Sequence, residues 1–139
     1  MKKILRYGGG LIILIALLMA GCDIVDDDVS PEDEDPRTKF LGAWSVNETC
    51  SKQIYSVEIK EDPANTSQVL IENFANPGNG DPAVGIVTDG KITLDPFYEI
   101  GSGWKVSGQG EMINSKKMSW EYELVIAGTY YQCTATYAK

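Results

Sequence analysis

Two carboxylates and three cysteines are the side chains whose types and spacing could do chemistry in this chain, namely Glu121 and Glu123, and Cys22, Cys50 and Cys133. Histidine is absent from all 139 residues, which removes histidine-based triads and histidine metal ligands. Nucleophilic catalysis thereby loses its usual base. Glu121 and Glu123, two positions apart on a strand, would stand about 6.8 Å from each other on one face, which resembles the separation of paired glycosidase carboxylates. Their neighbours in alternation, Trp120, Tyr122 and Leu124, are apolar, so the two acids read as a solvated outer face. Gly101-Ser102-Gly103 and Gly108-Gln109-Gly110 lack the strand-to-helix setting of a phosphate loop. The sequence therefore names no catalytic residue, no metal site and no cofactor, and the chain is read as non-enzymatic.

The cysteine at position 22 has a different chemistry. It closes Leu18-Met19-Ala20-Gly21-Cys22 behind an apolar run of nine residues, 11–19, and a start carrying Lys2, Lys3 and Arg6. A basic beginning, an apolar stretch of this length and small residues before a cysteine make the lipoprotein form of a secretory signal, so Cys22 is the expected lipidation site. A retained transmembrane helix fits less well. The uncharged stretch 7–21 has 15 residues, four of them glycine, whereas crossing the hydrocarbon takes about 20 mostly apolar residues. Residues 1–21 are thus read as a signal peptide, and acyl chains on Cys22 anchor the rest of the chain to a membrane.

Residues 23–35 hold eight acids and no base, while from residue 36 onward nine bases face twelve acids. The acidity of the chain is mostly that of this short segment. Few apolar groups, two prolines and self-repulsion cannot offset the entropy of ordering, so residues 22–36 are read as a disordered tether. The fourteen residues after Cys22, 23–36, at about 3.3 Å each give it a reach of roughly 45 Å. A block of carboxylates also suggests calcium or a basic partner, but like-charge runs are more simply solvated. Cys22-Asp23-Ile24-Val25-Asp26-Asp27-Asp28 also resembles the export signal that carries lipoproteins of certain Gram-negative bacteria to the cell surface. That resemblance implies the outer membrane, with the outer face exposed. No basic cluster favours nucleic acid as a partner.

The remaining residues, 37–139, suffice for one domain and one core. With Cys22 assigned to lipid, Cys50 and Cys133 are left as a pair in an oxidising setting and are expected to form a structural disulfide. Cys50 is placed at the end of the first strand and Cys133 in the last. A redox pair would more commonly appear as C-x-x-C.

Strands are legible from alternation of apolar and polar residues. Residues 41–46 enter a strand with Trp44 and Val46 on one face, and Tyr55, Val57 and Ile59 alternate with Ser56, Glu58 and Lys60 in the next. Strands are also expected at 68–74, 83–88, 91–94, 104–113, 118–126 and 129–137, with Asp89-Gly90 marking a tight hairpin and 76–82 a loop. Gly108 and Gly110 suggest a bulge or close bend. About eight strands joined by short turns, with no amphipathic helix, predict an all-β fold, an antiparallel up-and-down barrel that removes exposed edges; a two-sheet sandwich is the alternative.

Phe40-Leu41-Gly42-Ala43-Trp44 at the first strand resembles the G-x-W motif of the lipocalin, or calycin, group. With Cys50 and the ending Cys133-Thr134-Ala135-Thr136-Tyr137, residues 40–139 are similar to small lipocalin-like domains of bacterial lipoproteins. The resemblance implies an eight-stranded lipocalin-like barrel with Trp44 sealing one end, and Lys139 stands where an arginine usually covers that tryptophan. The candidate interior is Trp44, Val46, Tyr55, Val57, Trp104, Trp120, Tyr122 and Leu124. Such side chains either line a cavity or fill a small eight-stranded barrel. Two roles remain open: a lipid-anchored module holding a small apolar ligand, or a surface protein-interaction or inhibitor module whose filled barrel is only a scaffold.

Overall fold

The structure, a computed structural model, describes residues 34–78 and 80–139. The residues read as signal peptide and tether up to residue 33, Cys22 among them, lie outside the described residues. The described residues form nine strands, in chain order β1 (Gly42–Glu48), β2 (Ile54–Glu61), β3 (Gln68–Glu72), β4 (Ala83–Thr88), β5 (Lys91–Leu94), β6 (Glu99–Ile100), β7 (Trp104–Asn114), β8 (Lys117–Ile126) and β9 (Thr129–Ala138). Each pairs antiparallel with its neighbour in the order β5-β4-β3-β2-β1-β9-β8-β7-β6. A further pairing of β5 with β7, from Lys91↔Glu111 to Thr93↔Gln109, closes the ring. Eight strands form a closed up-and-down barrel, and β6 is an extra ribbon beside β7. That closure excludes the two-sheet sandwich.

The expected strands are all present, with ends displaced by a few residues. β6 was not expected, because two residues carry no periodicity. Cys50 lies in the turn beyond β1 rather than at the end of the strand. The Asp89-Gly90 hairpin has both residues at positive φ, 39° and 90°, the turn whose twist matches that of paired strands.

Gly110 pairs with Trp120 across β7 and β8, and a Cβ there would run into the indole ring. A Cβ on Gly108, opposite Tyr122, would instead run into the Glu121 carbonyl and the Tyr122 Cα, so there it is the strands themselves that approach too closely for a side chain. Gly110 thus makes room for the Trp120 ring inside the barrel. The register shift in this hairpin falls instead between Met112 and Asn114.

The barrel's middle is filled. Phe74 stands edge-on to Trp120 and Tyr122, with ring centroids 5.2 and 4.9 Å away, and Trp120 lies 5.2 Å from Tyr137. Aromatic pairs at such distances add to the gain from burial.

One end of the barrel is sealed by the 3-10 turn Thr38–Phe40. Trp44 donates its indole N–H to the Phe40 carbonyl at 2.7 Å. The Lys139 ammonium sits 4.3 Å from the centroid of the Trp44 ring and donates to the Leu41 carbonyl at 2.6 Å, which joins a cation–π contact to a hydrogen bond. Beside this plug Arg37 is buried. Its guanidinium donates to the carbonyls of Asp62, Asn65 and Gln68 and pairs with Asp35 at 2.6 Å. Hydrogen bonds from Arg37 hold the Asp35 carboxyl below the usual range. Asp35 belongs to the segment read as tether, so the last residues of that segment pack on the barrel.

Candidate functional site

The opposite end of the barrel is open. A cavity of 290 Å³ there is lined by Glu48, Cys50, Ser51, Gln53, Ala75, Asn76, Trp104, Leu124, Ile126 and Tyr131. Every lining residue comes from a strand end or loop at this end: the β1–β2 loop, the chain leaving β3, the start of β7, the end of β8 and the start of β9.

The chain leaving β3 shapes the floor. Asn73, Ala75 and Asn76 all have positive φ, 62°, 59° and 53°, a conformation that asparagine tolerates and alanine adopts only when its surroundings hold it there. Asn73 donates its amide to the Ser56 carbonyl at 2.9 Å, and Asn76 donates to the Gln53 side chain at 3.1 Å. These bonds strap the turn to β2 and its entry. Phe74 and Ala75 are thereby turned inward and buried.

Glu48 is the polar centre. Alternation along β1 puts Trp44, Val46 and Glu48 on the inner face, and Glu48 is only 3% exposed. Its carboxylate accepts from the Ser51 hydroxyl at 2.7 Å and from the Tyr122 hydroxyl. The Tyr55 hydroxyl is buried beside Glu48 and the Ala75 carbonyl without an aligned hydrogen bond to either. The Tyr137 hydroxyl and the Trp120 indole N–H are buried and also lack a partner among the described residues. Burial holds the Glu48 carboxyl above the usual glutamate range, against the opposing hydrogen bond from Ser51 and the nearby Tyr55 hydroxyl. Burial, with the charge of Glu48 nearby, likewise raises Tyr55 and Tyr137. Ser51 is not activated by this contact, since a carboxylate is too weak a base to ionise a hydroxyl.

Among the residues expected inside, Trp44, Val46, Val57, Trp120, Tyr122 and Leu124 are buried, and Tyr55 is partly so. Trp104 is half-buried and lines the mouth rather than the interior. Trp120 and Tyr122 fill the barrel, while Leu124 reaches the cavity. Cys50 and Cys133 stand at disulfide distance, with Cα atoms 5.3 Å apart, and Cys50 is part of the cavity wall. Glu121 is exposed on the outer face, and Glu123 accepts from Gln132 at 2.6 Å. The sequence reading did not single out Glu48. The signal was available, because Glu48 continues the inward period of Trp44 and Val46.

No protein-family model and no curated protein matches the chain. Among solved structures it is similar to designed barrels. One is a redesigned β-barrel at 14% identity, covering 76% of this chain and 95% of that one with a TM-score of 0.45. Another is a redesigned β-barrel bound to DFHBI, at 15% identity, 76% and 100% coverage and a TM-score of 0.44. A de novo fluorescence-activating β-barrel matches at 11% identity, 76% and 98% coverage and a TM-score of 0.46.

Proposed function

We propose that this protein is a lipid-anchored, non-enzymatic binding module of the outer membrane, exposed on the cell surface, whose barrel takes one small, largely apolar ligand in its open end. The cavity of 290 Å³, walled by Trp104, Leu124, Ile126 and Tyr131 around the buried carboxylate of Glu48, carries the reading. Its volume stands at the lower edge of ordinary ligand pockets, about 300 Å³, which limits the ligand to a small molecule. Apolar walls with a few polar groups, here Glu48, Ser51, Gln53 and Asn76, are the usual composition of such sites. The Leu18 to Cys22 motif supports the anchor, and the acidic residues after Cys22 support surface export. Gly42-Ala43-Trp44 under Lys139 supports kinship with lipocalin-like domains. The absence of histidine from the sequence and of an activated nucleophile at Glu48 supports a role in binding rather than catalysis.

Trp104 makes the site observable. Titration with small apolar compounds is expected to change tryptophan emission saturably in the wild type, and Ile126→Trp, which fills the cavity from its rim, is expected to abolish the response. A response unchanged by Ile126→Trp would count against the site. For the anchor, labelled fatty acid fed to producing cells is expected to mark the wild type and not Cys22→Ala.

The second reading, a docking surface for another protein, is favoured by one observation. Ile54, Phe97, Tyr98, Tyr130 and Tyr131, all at the open end by topology, are 75%, 91%, 53%, 69% and 43% exposed. Deleting residues 96–98 without loss of any partner in a surface pull-down would weaken it.

A further inference from the structure

Among the described residues, Arg37 and Glu48 are the two charged side chains that are buried. The barrel compensates the first fully: Arg37 has Asp35 at 2.6 Å and three backbone carbonyls. It gives the second no counter-charge. Glu48 is absent from every ion pair among the described residues, and Lys52, in the same loop, is exposed. The groups that face the carboxylate are neutral: Ser51 from the β1–β2 loop, Tyr55 from β2, Tyr122 from β8 and Tyr137 from β9. A buried, uncompensated charge is costly, and a perturbed acid in a cleft is a candidate functional group.

Glu48 is also a wall of the open cavity, and two of its neighbours there are aromatic, Trp104 and Tyr131. An ionised carboxylate has about four acceptor positions, and two hydrogen bonds, from Ser51 and Tyr122, reach this one. Its remaining capacity suits an N–H donor carrying positive charge. Aromatic faces attract cations as well, and the chain from residue 36 on has nine bases against twelve acids, so its mean field does not oppose a cation. A neutral apolar ligand would leave the carboxylate uncompensated, and an anion would add repulsion.

Resting on the ligand-binding reading above, we infer that the ligand is a small organic cation, an amine whose ammonium supplies the counter-charge of Glu48 while its hydrocarbon body lies among Trp104, Leu124, Ile126 and Tyr131.

Three compounds with the same phenyl body but different charge test the assignment: phenethylamine, 2-phenylethanol and 3-phenylpropionate, titrated calorimetrically at one ionic strength into the disulfide-intact protein. Phenethylamine is expected to bind at least about tenfold more tightly than the alcohol, and the carboxylate most weakly. Glu48→Gln is expected to bring phenethylamine down to the affinity of the alcohol, with a much smaller change for the alcohol. The wild-type ranking stands without the variant, should that variant fold poorly. Equal affinity for amine and alcohol, tighter binding of the carboxylate, or full amine affinity in a folded Glu48→Gln protein overturns the cation assignment and leaves the ligand site standing. Binding of none of the three overturns both.

Discussion

Removal of the Cys50–Cys133 cross-link tests how this barrel is held shut. Most ladders of its ring are much shorter than that of β8 and β9, the β5–β7 and β1–β9 seams among them. β5 and β7 share three paired positions, and β1 and β9 share four, Ser45↔Ala138 to Glu48↔Ala135. The cysteine pair lies just past the second seam, where Thr49 and Thr134 exchange hydrogen bonds of 2.9 Å. Because these bonds hold the two chain segments together in the folded state, the cross-link acts mainly on the unfolded chain. With a sequence separation of 83 residues, the chain-entropy relation gives about 4.5 kcal/mol. A domain of this size has a net stability of roughly 5–15 kcal/mol, so a third or more rests on one bond. At about 4–8 °C per kcal/mol, and allowing for the usual shortfall of measured disulfides, the melting temperature is expected to fall by roughly 15–30 °C. Circular dichroism melts of the oxidised wild type, the phosphine-reduced wild type and Cys50→Ala/Cys133→Ala measure it. A fall below about 5 °C in both altered forms, roughly 1 kcal/mol, would refute the reasoning, as would two free thiols in protein prepared without reductant.

Gly110→Ala is expected to cost about 1–3 kcal/mol in urea unfolding, because the added Cβ meets the Trp120 indole inside a filled barrel; a neutral result would mean that the ring moves freely. Burial raises the Glu48 carboxyl, so the folded state binds the proton more readily than the unfolded chain does. Stability attributable to this group therefore increases as pH falls through the raised value toward the unfolded one, about 4.3, and is lowest where Glu48 is charged. Glu48→Gln is expected to raise neutral-pH stability and to flatten the pH dependence across that window. Asp35 does not interfere there, since Arg37 holds it lower. Wild-type and variant curves that run parallel would contradict the effect.

Alternation made the barrel strands readable, since Met118, Trp120, Tyr122 and Leu124 on β8 can face inward only if Ser119 and Glu121 face out. Asp89-Gly90 gave the β4–β5 hairpin for the same local reason. Closure was less legible. The pairing of β5 with β7 is a long-range fact with no local signature, and whether Gly108 and Gly110 bend a strand or admit a ring depends on what stands opposite. The cavity was hidden for a further reason. It exists because residues 73–76 turn back through left-handed conformations and set Phe74 and Ala75 beneath it, and Ala75 at positive φ is not a choice that composition announces. Glu48 was missed because an acid at an inward position looks like the end of a pattern when nothing shows that the pattern continues.

Protein detergent-extracted from its own cells and analysed by native mass spectrometry, beside the Ile126→Trp variant prepared in the same way, tests the central claim most directly. The expected result is a small molecule retained one-to-one by the wild type, released on unfolding and absent from the variant. A wild type that carries nothing and takes up no compound at the Trp104 site would contradict it.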